Sequence, residues 1–455
     1  MRQNLLETYS RQLKVAEAYV ANNFEGKKIS SNTALTTAVL LDNTNRWITE
    51  SLNMSVAGAT NRADLGNWKK FCLNLTNIAV PSLIANDLVI VHPMTSYSGS
   101  VAYLKYVALD DKGTVTRGDE FNSVFGLGKM TDGRQQYTSQ VIVEAFDGTP
   151  TMTPITEIKR FYDKDASDEA RKDIYKAIKV INADNTVTFV DTVAEIPSDA
   201  KKIAYVAQEA FMESTPATDT GMRQTPRIGP KMEHIPLVAE PRRIAVQYDQ
   251  ITAFQAKTDY GFSLDKQIAE QACGELAYEI DTEIVAMLKE GADKGTTVDE
   301  REALTWSKTL PVGVSKFEHY NGFLEIVETA KAIIYQRTQK FHPNYMVIAS
   351  NVLPVLRFIN GFTAAKTTKM NGPYKVGELD GMNVYVSPLL TDGEFFLGLN
   401  GSDMMSSAGV YAPYMAIVPT QLLGTPDGSL TQGFSTWYAK ALLNDKLLVA
   451  GQIVD

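Results

Sequence analysis

Along the start of the chain, apolar positions recur every three to four residues. Leu5, Leu6, Tyr9, Leu13, Ala16 and Val20 make one stripe, as a helix with a single buried face requires. A second helix is expected from about 32 to 54. A third is expected over DLGNWKKFCLNLTNI, with Trp68, Cys72 and Leu75 on one side. The first eighty residues therefore read as a helical arm. The period then falls to two. In SVAYLKYVALD, Val101, Tyr103, Lys105 and Val107 alternate with Ala102, Leu104, Tyr106 and Ala108, which predicts an extended ribbon. A glycine-spotted loop follows, and QVIVEAF predicts another strand. From about 147 to 240 proline, threonine and mixed charge become frequent. Short runs such as TVTFV and KKIAYVAQEAF predict a small module carried on a loop. PRRIAVQYDQITAFQAKTDY predicts a returning strand.

The strongest helical pattern is GFSLDKQIAEQACGELAYEIDTEIVAMLKEGA. Leu264, Ile268, Ala272, Leu276, Ile280, Ile284 and Leu288 repeat every four residues, so the stripe winds round a rod roughly 40 Å long. Such a helix meets different neighbours at its two ends. A further helix is expected over FLEIVETAKAIIYQRTQKF. Strands YMVIAS, NVYVSP, EFFLGL and GVYAPYMAIVP then predict a compact α/β unit, and the tail GFSTWYAKALLNDKLLVAGQIVD is strand-like.

Length and charge narrow the function classes. A chain of 455 residues predicts two or three domains. A net charge of −9 argues against a nucleic-acid-gripping module, though not against a protein that encloses nucleic acid. Two distant cysteines, Cys72 and Cys273, predict a reducing compartment without disulfides. No apolar run is long enough to span a membrane, and the start lacks the apolar core of a signal peptide.

Candidate chemistry fails on spacing. His92, His234, His319 and His342 lie far apart and outside any HExxH pattern, so no metal is expected. GLGKM has Ser123 where a phosphate loop needs its first glycine and Met130 where it needs Ser or Thr. Gly126 and Gly128 are followed by Thr131, not a third glycine. In HPMTSYSGS, His92 with Ser96 or Ser98 suggests a nucleophile and its base, but the motif holds no orienting acid. Pro93 and Gly99 are residues for turning a corner. Asp110, Asp111, Asp119 and Glu120 lie beside Lys112 or Arg117 in loops and read as solvated surface. No catalytic residue and no cofactor are expected.

Taken together, the segments resemble the major head proteins of T-even-type phages. DLGNWKKFCLNLTNIAVPSLIANDLVIVHPMTSYSGSVAYLKY resembles the stretch in which a P-x-L-I-A-x-D run leads into a Q-P-M-T-G-P-x-G strand entry. Pro81, Leu83, Ile84, Ala85 and Asp87 match, as do Pro93, Met94, Thr95 and Gly99, whereas His92 replaces glutamine and Ser96 replaces glycine. FLEIVETAKAIIYQRTQKFHPNYMVIASNVLPVLRF and GELDGMNVYVSPLLTDGEFFLGLNGSDMMSSAGVYAPYMAIVPTQ resemble the family's axial domain. Gly381, Val384, Tyr385, Gly398, Gly401, Ala408, Gly409, Val410, Pro413 and Tyr414 match there, with Asn400 in place of lysine and Ala416 in place of proline. The resemblance leaves 110–240 unmatched.

The resemblance implies an α+β chain of the Hong Kong 97 capsid fold, with its parts in chain order. These are a helical arm over 1–80, a peripheral strand and the start of the extended loop over 81–110, and that loop over 111–146. An inserted module over 147–240, a return strand and spine helix over 241–316, an axial domain over 317–420 and peripheral strands over 421–455 follow. It implies a structural, non-enzymatic shell subunit that forms hexamers and pentamers of an icosahedral virion head, assembled in the host cytoplasm. The implied partners are further copies of the chain, scaffold, portal and decoration proteins, and double-stranded DNA enclosed without specific contact; no membrane is implied. Glycine-rich loops such as GLNGSD are expected to serve as hinges. Family members are often trimmed after an (I or L)-x-E site, which Ile48, Thr49 and Glu50 fit, as do Leu5, Leu6 and Glu7. An encapsulin-type compartment shares the fold, and an α/β enzyme or carbohydrate-binding protein with an inserted lid is the rival of another class.

Overall fold

A computed structural model describes residues 2–23, 29–54, 83–109, 141–150, 175–206, 227–261, 264–338, 340–365, 372–420, 423–424 and 428–454, with a few isolated positions between them. The helix over DLGNWKKFCLNLTNI, Cys72, the GLGKM loop and the paired carboxylates of 110–120 lie outside these residues. The described chain is α+β and divides into two compact units, 1–103 with 234–455, and 104–233.

In the larger unit the arm forms as its stripe requires. Helices Arg2–Thr8 and Ser10–Asn23 bury Tyr9 and Leu13 against Ala38 and Leu41 of a third helix, Ser31–Met54. The other face of that third helix packs on strand Gly409–Pro419, with Leu40 near Ala416 and Ile48 near Met415 and Val418.

Two sheets flank the long helix Leu264–Gly295. Its 32 residues make a rod of about 48 Å, one turn and more beyond the sequence estimate, because the helix runs on to Gly295. The predicted stripe is buried from Ala272 through Leu276, Ile280 and Ile284 to Leu288. Toward its start, Ala269, Ala272, Cys273 and Leu276 cover Ile417, Phe434, Ile244 and Val246 of a five-stranded sheet. That sheet runs Ile90–Val91, Gly409–Pro419, Ser429–Leu442, Glu240–Asp249, with Leu423–Gly424 also paired to Ser429–Leu442. Toward the end of the helix, Gly291 lies where a Cβ would meet Leu442 and Leu448 at 2.7–3.0 Å, and Gly295 where it would meet the Asp445 carbonyl at 2.5 Å. The rod meets different neighbours at its two ends, as its winding stripe predicts.

The second sheet has seven strands, in the order Thr305–Ser307, Leu448–Val454, Glu394–Gly398, Tyr345–Ala349, Met382–Ser387, Tyr374–Leu379, Phe362–Ala364. Tyr345–Ala349 is buried at every position, as expected of a central strand covered on both faces. The hairpin from Tyr374–Leu379 to Met382–Ser387 turns on Asp380 (φ 46°) and Gly381 (φ 75°), the paired left-handed residues of a type I′ turn.

Sheet membership cuts across the expected 317–420 and 421–455 segments. Gly409–Pro419, expected in the axial domain, is hydrogen-bonded to Ser429–Leu442. Leu448–Val454, expected among the peripheral strands, pairs with Glu394–Gly398. The chain thus crosses between sheets twice near its end. Hydrophobic alternation identifies strands but carries nothing about which partner each selects.

Three further expectations are corrected. The ribbon strand Ser98–Ala108 pairs with Ile228–Val238, which had been read as part of the inserted module. The strand holds Pro230 and Pro236, which a strand with one partner among the described residues tolerates where no ladder donor is needed. After the strand Glu240–Asp249, QITAFQAKTD is a helix, because the Asp249 side chain accepts from the Ile251 amide and caps it. Val141–Ala145, expected in the extended loop, forms one edge of a four-stranded antiparallel sheet with Ala200–Val206, Ile178–Asn182 and Val187–Val190. This sheet belongs to the smaller unit, whose core is Ala177, Ile178, Val180, Ile203 and Tyr205.

Candidate functional site

The stretch HPMTSYSGS is a structural joint. The His92 amide donates to the Tyr411 carbonyl and the Met94 amide to the Pro413 carbonyl, both at 2.9 Å, continuing the pairing of Ile90–Val91 with Gly409–Pro419. Met94 is buried in a cluster with Val101, Leu237, Val410, Ala412 and Ala439. Ser96 Oγ, the supposed nucleophile, donates to the Ser98 carbonyl at 2.6 Å and stays exposed. Gly99 lies inside the strand without a left-handed backbone, and a Cβ there would sit 3.4 Å from Met94 Cε. That is ordinary contact distance, so Gly99 makes neither the expected tight reversal nor a close approach that only glycine allows.

The arm closes this joint through one residue. Buried Asn43 donates from Nδ2 to the Met94 carbonyl at 2.8 Å and to the Tyr414 carbonyl at 2.7 Å. One side-chain amide therefore holds the corner, the long strand and the arm helix together. Nothing in the local pattern around Asn43 marks it; its two acceptors are 51 and 371 residues away in sequence.

A second joint ties the long helix to the five-stranded sheet. Arg242 holds Glu283 with both arms, Nε to Oε1 at 2.8 Å and an Nη2 contact to Oε2 at 3.1 Å, and Lys440 Nζ reaches Oε2 at 2.9 Å. Burial by itself would push the Glu283 carboxyl up, but the Arg242 guanidinium and the Lys440 ammonium overcome it and hold the group at about 2. The Arg242 guanidinium is pushed up in return, chiefly by its hydrogen bonds to Glu283, and it also lies over the Tyr438 ring. Two residues earlier on the helix, Asp281 Oδ1 accepts the Ala85 amide at 3.0 Å, fixing the short helix Ala85–Leu88.

The loop GLNGSD is a hub, not the expected hinge. Asn400 donates to the carbonyls of Asp87 and Val89 and exchanges backbone–side-chain bonds with Asn344. Gly398 and Gly401 are required because a Cβ would meet Tyr345 Oη at 2.3 Å and Ser406 Oγ at 2.0 Å. Both glycines permit packing where a hinge would need space.

The remaining candidates are dispersed. His319 stacks on Trp306 and pairs with the Ser307 carbonyl, and His342 stacks on Tyr335 with rings 4.9 Å apart. Cys273 is buried in the long helix, and desolvation pushes its thiol up to about 12. Among the described residues no three His, Cys, Asp or Glu side chains converge as metal ligands. The cleft lined by Lys289, Asp293, Arg301 and Glu394 has a volume of about 20 Å³, room for one water. No helix among the described residues is long and apolar enough to cross a membrane. Glu50 is exposed near the end of helix Ser31–Met54, while Ile48 two residues before it is fully buried.

The family model of the major capsid protein Gp23 matches residues 65–453, including the 110–240 stretch that the resemblance left unmatched. The chain belongs to this family. The major capsid protein of Enterobacteria phage T4 is 22% identical over 403 residues, covering 80% of this chain and 73% of that one. That of Vibrio phage KVP40 is 22% identical over 395 residues, covering 80% and 74%. Among solved structures, one from Microbacterium phage Oxtober96 covers 82% of this chain and 91% of its own, with 11% identity and a TM-score of 0.38. The holo-SrpI encapsulin complex from Synechococcus elongatus PCC 7942 covers 49% and 78%, with 10% identity and a TM-score of 0.34. This Gp23-family member is a major capsid protein of a tailed phage, and its place is the virion capsid. Helical arm, two-stranded ribbon, long helix and mixed sheet stand in the order expected of a Hong Kong 97-like capsid subunit.

Proposed function

We propose that the chain assembles into hexamers and pentamers of an icosahedral head that encloses double-stranded DNA. On this reading it carries out no catalysis and is put together in the host cytoplasm with scaffold, portal and decoration proteins. The observation that carries the reading is the family match over residues 65–453. Its physical support is that the functional joints are packing devices: Asn43, Arg242–Glu283 and Asn400 each fix one element on another. The arm would occupy 1–80, the ribbon of Ser98–Ala108 and Ile228–Val238 would be the extended loop, and the four-stranded unit would be the insertion. A net charge of −9 suits a container that must not bind its DNA tightly. Electron micrographs of the purified full chain test the reading: shells or capsomer rings are expected, and a stable monomer would sink it. Particles that never contain DNA would favour an encapsulin-type compartment instead.

Trimming after Glu50 belongs to the same proposal. A protease needs an extended strand through its site, and here Ile48 is buried in a helix against Met415 and Val418. Cleavage would therefore require the end of helix Ser31–Met54 to undock first. Intact mass of the protein from mature particles decides between a chain starting after Glu50 and an uncut one.

A further inference from the structure

The segment SKTLPVGVSKF, residues 307–317, projects from the larger unit with its apolar side chains outward. Leu310, Val312, Val314 and Phe317 are all exposed, and Val312 is fully so. A single exposed apolar residue is ordinary, but four within eight positions on one loop are not. The loop is also built to hold its shape. The Val314 amide donates to the Pro311 carbonyl at 3.3 Å, and Gly313 takes φ 90°, so Val312 and Gly313 are the central pair of a type II turn. Its entry is pinned by the Lys308 amide on the Val454 carbonyl at 2.7 Å. Its exit is pinned by the capping box of Ser315 and Glu318 that opens helix Lys316–Asn321.

We propose that this turn is an apolar knob that docks into a second copy of the chain. The inference rests on the assembly reading above. Three observations point to that occupant. The chain belongs to a capsid-protein family, so its copies are the most abundant surface it meets. The segment carries Lys316 and no acidic residue, so locally it is a cationic spot that can meet the acidic surface of a second copy, each chain having a net charge of −9. The knob springs from Thr305–Ser307, an outer strand of the seven-stranded sheet that among the described residues pairs only with Leu448–Val454, where a neighbour has access. A preformed turn loses little conformational freedom on docking, and a small buried apolar centre can dominate a contact of ordinary size. The knob is such a centre; the rest of the contact comes from surface around it.

Site-resolved labelling tests this. Val312→Cys is made in the full chain, and maleimide uptake at position 312 is followed by mass spectrometry in free subunits and in assembled particles. Uptake in free subunits with protection in particles is expected. Equal uptake in both overturns the proposal. Protection that appears only when other virion proteins are added overturns the second copy as occupant. A wild-type chain that forms no particle overturns the assembly reading, and the knob assignment with it. Val312→Asp provides an independent measurement. The side chain is in solvent in the subunit, so its thermal melt should not move, whereas burying an unpaired carboxylate should raise the concentration needed for assembly by about tenfold or more. Unchanged assembly of that variant would also overturn the proposal.

Discussion

Replacing Glu283 by Gln should destabilise the subunit in a strongly pH-dependent way. The carboxylate receives two bonds from Arg242 and one from Lys440, and only 28% of its side chain is exposed. Lowering a carboxyl from its ordinary 4.5 to about 2 corresponds to roughly 3 kcal/mol of stabilisation of the charged form. Residual solvent screening brings the expected loss to about 2 kcal/mol. Because the folded value lies below the unfolded one, the stabilisation is complete above the ordinary carboxyl value of 4.5 and disappears as pH falls through about 2. Urea unfolding of the purified subunit, followed by tryptophan fluorescence at pH 7, 5, 4 and 3, is the assay. The gap between wild type and Glu283→Gln should be constant from pH 7 to 5. By pH 3 it should fall below half its neutral value. A gap that persists unchanged at pH 3 would mean that Glu283 acts through shape and packing, and the electrostatic argument would fail.

Asn43→Ala should leave the buried Met94 carbonyl and the half-buried Tyr414 carbonyl without this donor, at a cost of about 1–3 kcal/mol. Its signature is local: amide exchange should speed up in helix Ser31–Met54 while the seven-stranded sheet stays protected. Uniform acceleration would refute the idea of a latch specific to the arm. Cys273 should resist maleimide in the folded chain at pH 8, since burial holds its thiol at about 12, and react at once in denaturant. Rapid labelling under native conditions would show that the long helix opens from the sheet far more readily than its packing implies.

The parts of the fold legible in the sequence were those set by short-range periodicity. The stripe Leu276, Ile280, Ile284 and Leu288 and the run Tyr345–Ala349 each announce their element, because every residue's burial is dictated by its own spacing. Partner choice was not legible. Ile228–Val238 is a ribbon strand because Ser98–Ala108 lies beside it, whereas its composition reads as part of the inserted module. The joints were hidden for the same reason. Asn43, Arg242 and Asn400 are ordinary polar residues in their own segments, and only the fold brings their acceptors to them.

The same contrast separates chemistry from mechanics in HPMTSYSGS. A catalytic reading weighs His92, Ser96 and Ser98 by their reactive atoms, yet it is the main chain that works here, with the His92 and Met94 amides extending a parallel pairing and the Met94 carbonyl receiving Asn43. Backbone groups are present at nearly every position and leave no trace in residue type. A protein whose task is to hold its neighbours therefore conceals its function better than an enzyme does. What betrays it are the places where a side chain is too small or too exposed for a lone molecule. Gly291 and Gly295 admit a neighbouring segment against the long helix, and Val312 stands in water on a rigid turn. The first two are satisfied within the chain. The third meets no burying neighbour among the described residues, and the proposed docking into a second copy would supply one.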